Sequence, residues 1–118
     1  MIGSTRKFAV YAFAKPADLR KGFDGLHALV AEQMQRNVLS GDLFLFVSRD
    51  RRRAKCLLWD GTGLCVYAKR LERGRFAKVW REGLGPLQLT QTELALFLEG
   101  SELVGKVALS PAAFSLGG

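Results

Sequence analysis

Apolar residues change their period several times along this chain, and each change marks an element. Phe8-Ala-Val-Tyr-Ala-Phe13 is rich in aromatic and branched side chains and reads as a first strand, ended by Lys15-Pro16. Leu19, Phe23, Leu26, Val30 and Met34 then recur at spacings of three and four, with Leu29 beside them. That is one apolar stripe on an amphipathic helix running to about Arg36, with Asp18 in N-cap position. Gly22 and Gly25 each cost about 1 kcal/mol relative to alanine in a helix. The pattern therefore allows two starts: at Leu19, or only near Phe23 with Leu19 to Gly22 as a structured turn.

Ser40-Gly41-Asp42 is a turn, and Leu43-Phe-Leu-Phe-Val47 a short apolar strand. Ser48 to Arg53 is a polar, arginine-rich loop. Ala54 to Trp59 and Leu64 to Leu71 are two more strands, joined by Asp60-Gly61-Thr62-Gly63, whose glycines suit a tight hairpin turn. Glu72-Arg73-Gly74-Arg75 reads as a second turn, and Phe76 to Trp80 either extends the sheet or starts a short helix. After a break at Gly83 to Pro86, a second helix opens from Leu89. Thr90 and Glu93 form a capping box, Leu94, Phe97 and Leu98 its apolar face, and Gly100 its C-cap. Val104 to Leu109 has the character of an edge strand, and Ser115 to Gly118 that of a fraying end.

Strands joined by tight turns, with two helices outside the strand run, give an α+β class. The expected architecture is a small antiparallel sheet with a central hairpin, packed against two helices. Helices on one side would leave the other side of the sheet open to a ligand. The 118 residues make a single domain, with the tail from about residue 101 the least determined part. No secretory h-region and no run of eighteen apolar residues occurs, so neither export nor a membrane span is expected. Cys56 and Cys65 form no CxxC pair; in a reducing cytosol both are expected to be free and buried.

Candidate catalytic groups are few. His27, the single histidine, lies beside the helix stripe with no second ligand at a metal spacing, and reads as a half-buried helix residue. Asp18, Asp24, Asp42, Asp50 and Asp60 adjoin turn residues or bases, which suits capping, turns and ion pairs. A divalent-metal nuclease would need such acids to converge on one ion, and no spacing points to it. Gly61-Thr-Gly63 lacks the rest of a dinucleotide loop or a P-loop. No enzyme, cofactor, metal or small-molecule substrate is expected.

Charge carries more information. Residues 49 to 81 hold eleven Lys and Arg against three acids, Asp50, Asp60 and Glu72, while the other 85 residues hold seven basic and eight acidic groups. Three acids cannot pair with eleven bases, and a local positive field of this size attracts polyanions, nucleic acid above all. The basic residues alternate with Cys56, Leu57, Leu58, Trp59, Leu64, Val66, Tyr67 and Phe76, so the segment is folded rather than a disordered tail. In a hairpin closed at Asp60 to Gly63, the loop before one strand meets the end of the other. Arg51, Arg52 and Arg53 should therefore join Lys69, Arg70, Arg73 and Arg75 at the open end. These are the expected phosphate contacts, because the guanidinium fork donates two parallel hydrogen bonds to a phosphate. Lys55, Lys78 and Arg20 are secondary. Trp59 and Tyr67 read as core residues sooner than as bases' stacking partners.

Several blocks resemble a known family. Leu19-Arg-Lys-Gly-Phe-Asp-Gly-Leu26, Ser40-Gly-Asp-Leu-Phe44, Leu58-Trp-Asp-Gly-Thr-Gly-Leu64, Lys69-Arg-Leu-Glu-Arg-Gly-Arg-Phe76 and Leu94-Ala-Leu-Phe-Leu-Glu-Gly100 occur in this order. The chain resembles, over roughly residues 8 to 100, the small TnpB-like accessory protein from the second reading frame of bacterial insertion sequences of family sixty-six. It departs from that pattern at Ala77-Lys-Val-Trp80, where many relatives carry Trp-Pro, and after Gly100. The resemblance implies a non-catalytic accessory protein of transposition that assists a separate, larger transposase carrying the strand-cutting acids; the missing export signal makes the cytoplasm its expected place. Joined to the charge pattern, it makes duplex DNA and the element's own transposase the expected partners, though charge alone does not separate DNA from RNA. One alternative is a docking module for the transposase with incidental DNA contact; a divalent-metal nuclease is a more distant one.

Overall fold

The computed structural model of the protein describes residues 7–100. The strand expected over Val104 to Leu109 and the end at Ser115 to Gly118 lie outside them. Five strands form one sheet: β1 (Val10–Ala12), β2 (Leu43–Val47), β3 (Arg53–Trp59), β4 (Leu64–Arg70) and β5 (Leu87–Leu89), in the order β4-β3-β2-β1-β5. Helix α1 (Phe23–Ala28), continued by a π-helical turn over Leu29–Gln33, connects β1 to β2, and helix α2 (Gln91–Glu99) follows β5. The α+β class holds, but the sheet is mixed. β1 runs parallel to β2, with Val10 opposite Leu43, whereas the β1–β5, β2–β3 and β3–β4 pairs are antiparallel. The long connection through α1 is what allows a parallel pair. It also sets β1 and β5 on the far side of β2, so the β3–β4 hairpin lies at an edge of the sheet and not at its centre.

Alternation along the strands divides the core in two. Val10, Ala12, Leu43, Leu45, Val47, Ala54, Cys56 and Leu58 face α2 and the segment from Leu71 to Val79. Phe13, Phe44, Phe46 and Leu57 face Leu26, Val30 and Met34 of the first helix. Both sides of the central strands are thus covered, and the open sheet face expected for a ligand does not exist there. β2 records this in its sequence: all five residues, Leu43 to Val47, are buried, which only a strand with two dry faces requires.

The first helix starts late. Its N-cap is Gly22, and Leu19 to Gly22 form the structured turn, with Asp18 Oδ1 accepting the Arg20 backbone N–H at 3.0 Å. Gly25 has a steric role: a Cβ there would stand 2.8 Å from Lys21 Cβ, so its absence lets the turn fold back over the helix. Phe23 stays 51% exposed, while Leu26 and Val30 are fully buried. At its far end Arg36 lies over the Tyr11 ring, 3.9 Å from its centroid. α2 carries the expected capping box: Glu93 N–H donates to Thr90 Oγ1 and Thr90 N–H to Glu93 Oε1, at 3.0 and 2.8 Å. Gly100 closes the helix in a left-handed conformation. Phe97 stacks on Phe76 with ring centroids 4.9 Å apart, and both rings are fully buried. The segment from Phe76 to Trp80 is neither strand nor helix; Phe76, Ala77 and Val79 anchor it as irregular chain beneath the sheet. β5 pairs with β1 just before the helix that the sequence predicts from Leu89.

Candidate nucleic-acid interface

The basic end of the molecule is built by the hairpin and two turns. Ser48 organises the connection from β2 to β3: its hydroxyl donates to Asp50 Oδ1 at 2.7 Å and accepts the Arg53 N–H at 3.1 Å. Asp50 also accepts the Arg52 N–H at 3.1 Å. These bonds, Ser48's first, hold the Asp50 carboxyl below its ordinary value. Arg51 occupies the left-handed region, φ 59°, unusual for a side chain other than glycine. Its carbonyl accepts the Phe76 N–H at 2.7 Å, and the Arg52 carbonyl accepts the Leu71 N–H at 2.8 Å. The loop before β3 is thereby bonded to the chain after β4. Leu71 and Phe76 are buried anchors, and Glu72, Arg73, Gly74 and Arg75 between them are exposed.

The two basic stretches therefore meet at the open end of the hairpin, with Arg53 directly opposite Arg70. The individual side chains differ in what they are free to do. Arg73, Arg75 and Lys78 are exposed. Arg51 Nη1 donates to Phe76 O at 3.5 Å, and Arg52 Nη2 to Glu72 O at 3.2 Å, so both fasten the turn they flank. Lys69 lies on the α2 side and donates to Leu98 O at 2.6 Å, which satisfies a carbonyl at the end of that helix. Lys55 lies on the α1 side and donates to Lys21 O at 3.0 Å, tying the turn before α1 to the hairpin. Arg81, inside the basic segment, donates to the Gly85 and Pro86 carbonyls at 2.9 and 2.8 Å.

Arg20 comes from the turn before α1 and is matched by Asp18, with Nη2 to Oδ2 at 2.9 Å and Nε to Oδ1 at 3.0 Å. The Arg20 side chain, then its backbone N–H, lowers the Asp18 carboxyl to about 2. Two concavities flank this turn. One, about 390 Å³, is lined by Asp18, Leu19, Arg20, Ser48, Arg49, Asp50 and Arg53. The other, about 370 Å³, is lined by Leu19, Arg53, Lys55, Ala68 and Arg70 among others. Leu19 and Arg53 border both. Arg49, which lies outside the contact set expected from the sequence, lines the first. Its place depends on the turn at residues 17–20 packing beside the β2–β3 loop, a meeting of segments 30 residues apart that no local spacing signals.

Other candidates take lesser parts. His27 is exposed rather than half-buried. Cys56 is free and buried, and its burial pushes the thiol up to about 12; Cys65 is free and only half-buried. Trp59 is half-buried, and Tyr67, on the edge strand, is 42% exposed. Among the described residues no three His, Cys, Asp or Glu side chains converge where they could hold a metal ion. Nor is any helix among those residues long and apolar enough to cross a membrane.

Two proteins of Sinorhizobium fredii (strain NBRC 101917 / NGR234), both described as uncharacterized, are similar to the chain. The protein y4jC is 33% identical over 100 residues, covering 85% of each chain. The protein y4hO is 35% identical over 100 residues, covering 85% of this chain and 86% of its own. No solved structure matches. Residues 8–107 match the family described as "IS66 Orf2 like protein", so that the shared blocks, the hairpin and the basic end all fall inside the match, and the chain belongs to that family.

Proposed function

We propose that the protein is a non-catalytic accessory protein of transposition, which binds duplex DNA through the basic end of its hairpin and assists the transposase of the same element. Family membership supports the process, and the convergence of Arg51 to Arg53 with Arg70 to Arg75 supports the DNA contact. That convergence carries the reading, because it gathers cations from two stretches of chain onto one exposed rim with few acids to neutralise them. Phosphate contacts of this kind position a protein on a duplex without reading its sequence.

The test is fluorescence anisotropy with duplex carrying the element's terminal inverted repeat, and with a scrambled duplex, at several salt concentrations. The logarithm of affinity should fall with the logarithm of salt at about 0.9 per phosphate neutralised. Reversing charge at Arg73 and Arg75, both exposed, should weaken binding to both duplexes. Unchanged affinity would sink the assignment of the rim.

A second reading has an observation of its own. The outer edge of β4 pairs with no strand among the described residues, and Tyr67 on it is exposed. An edge of this kind accepts an added strand from a protein partner. Retention of the transposase on immobilised protein in nuclease-treated buffer, together with no affinity for DNA near physiological salt, would favour this docking role.

A further inference from the structure

Two arginines oppose each other across the hairpin. Because the Leu71 N–H donates to Arg52 O, Arg52 and Leu71 are a hydrogen-bonded pair of the antiparallel ladder. The next pair, Arg53 and Arg70, is then of the non-hydrogen-bonded kind, in which Cα atoms approach to about 4.5 Å and side chains lie closest. Like charges directly opposite in a sheet are destabilising. Glu72 relieves Arg70 in part, with Nη2 to Oε1 at 3.3 Å between two well-exposed side chains. The Arg53 guanidinium has no ion pair among the described residues.

Cations border the space beside this pair. Lys55 follows Arg53 on the same face, and its cross-strand partner is Ala68, too small to fill the space in front of it. The resulting concavity of about 370 Å³ has Leu19 and Ala68 in its lining with Arg53, Arg70 and Lys55. The Lys55 ammonium spends one N–H on Lys21 O, which fixes its position and leaves two donors.

We propose that Arg53 and Arg70 clamp one phosphoryl group over this concavity, with Lys55 as a third donor. The proposal rests on the DNA-binding reading and sharpens it: the hairpin rim steers the backbone, and the opposed pair grips one phosphate. Each guanidinium offers a planar fork to the anion, and an anion between them replaces their repulsion by two attractions. An internal phosphodiester and a free phosphate group offer the same oxygens, so the measurement has an arm for each.

The first arm is thermal melting of the whole chain in inorganic phosphate against chloride at matched ionic strength, with Arg53→Gln, Arg70→Gln and, as control, Lys15→Gln at an exposed cation away from the hairpin rim. Phosphate also stabilises proteins generally by exclusion from their surface, so the comparison between variants decides. Phosphate at millimolar concentration should raise the melting temperature of the wild type and of Lys15→Gln, and should lose that effect in the other two. In chloride alone Arg53→Gln should melt at or above the wild type, since it removes a repulsion; a clear fall would overturn the claim that the pair is strained. The second arm is the salt dependence of duplex affinity. Arg53→Gln, Arg70→Gln and the double variant should each reduce the slope by about 0.9, because all three lose the same phosphate. A double variant that loses about 1.8 has two independent contacts, and the clamp is overturned. Non-additive loss on DNA without a response to inorganic phosphate identifies a phosphodiester as the ligand. A response to phosphate in a protein with no affinity for DNA keeps the clamp and overturns the DNA-binding reading. Absence of both effects overturns the clamp.

Discussion

The Asp60 carboxylate accepts the Thr62 and Gly63 N–H groups, each at 2.9 Å, the Thr62 hydroxyl at 3.0 Å and the Cys65 thiol at 3.5 Å. These donors, the two backbone N–H groups first, hold it well below the ordinary carboxylate range. A carboxyl lowered in the folded state stabilises the fold above its unfolded value of about 3.9 and loses that contribution as pH falls through its folded value. Asp60→Asn should therefore destabilise the protein most near neutrality, and the gap from wild type should close under acid, which denaturant unfolding across pH would measure. A gap independent of pH would mean the charge is irrelevant to the turn. The turn itself is legible in Asp60-Gly-Thr-Gly63, because its bonds span three residues. The work of Lys69 and Arg51 is not, because the carbonyls they bond, at Leu98 and Phe76, lie 29 and 25 residues away. At those two positions sequence alone counts a cation as wholly available when one of its donors is in use.

At the scale of elements, local chemistry again separates what is legible from what is not. The capping box of α2 is written in Thr90 and Glu93 and appears as written. Thr90→Ala removes the acceptor for the Glu93 N–H and should cost about 1 kcal/mol of unfolding free energy in urea titration, with an unchanged m-value. The hairpin and β2 are equally legible, since a glycine turn and a continuous apolar run are short-range signals. β5 is only three residues long and immediately precedes a helix cap, so it leaves no periodicity to read. The parallel pairing of β1 with β2 is a tertiary choice, although a helix between two strands is its usual accompaniment. Phe76 shows the same limit differently. Its burial against Phe97 is what an apolar residue predicts, but the irregular backbone that delivers it there follows from long-range packing.

For the whole molecule, composition locates the basic end, and hairpin pairing brings its two halves together. Local spacing does not signal that the turn before α1 carries Arg20, an expected secondary contact, and the Lys21 carbonyl to the same side of the hairpin. The Arg-Lys-Gly-Phe-Asp-Gly block now has a physical account: Gly25 permits the close return of that turn over the helix. The expectation of a free sheet face fails because the two helices lie on opposite sides, which leaves the end and the outer edge of the sheet as open surfaces. There the charge distribution has a kinetic consequence. With a net +8 in residues 49 to 81 and −1 over the remaining 85, the molecule is electrically lopsided. With DNA as its partner, as proposed, the field of the polyanion would turn the molecule before contact and bring the open end of the hairpin in first. On the proposed reading, charge reversal at Arg73 and Arg75 should then appear mainly as slower association in stopped-flow mixing, with the residence time of the complex little altered.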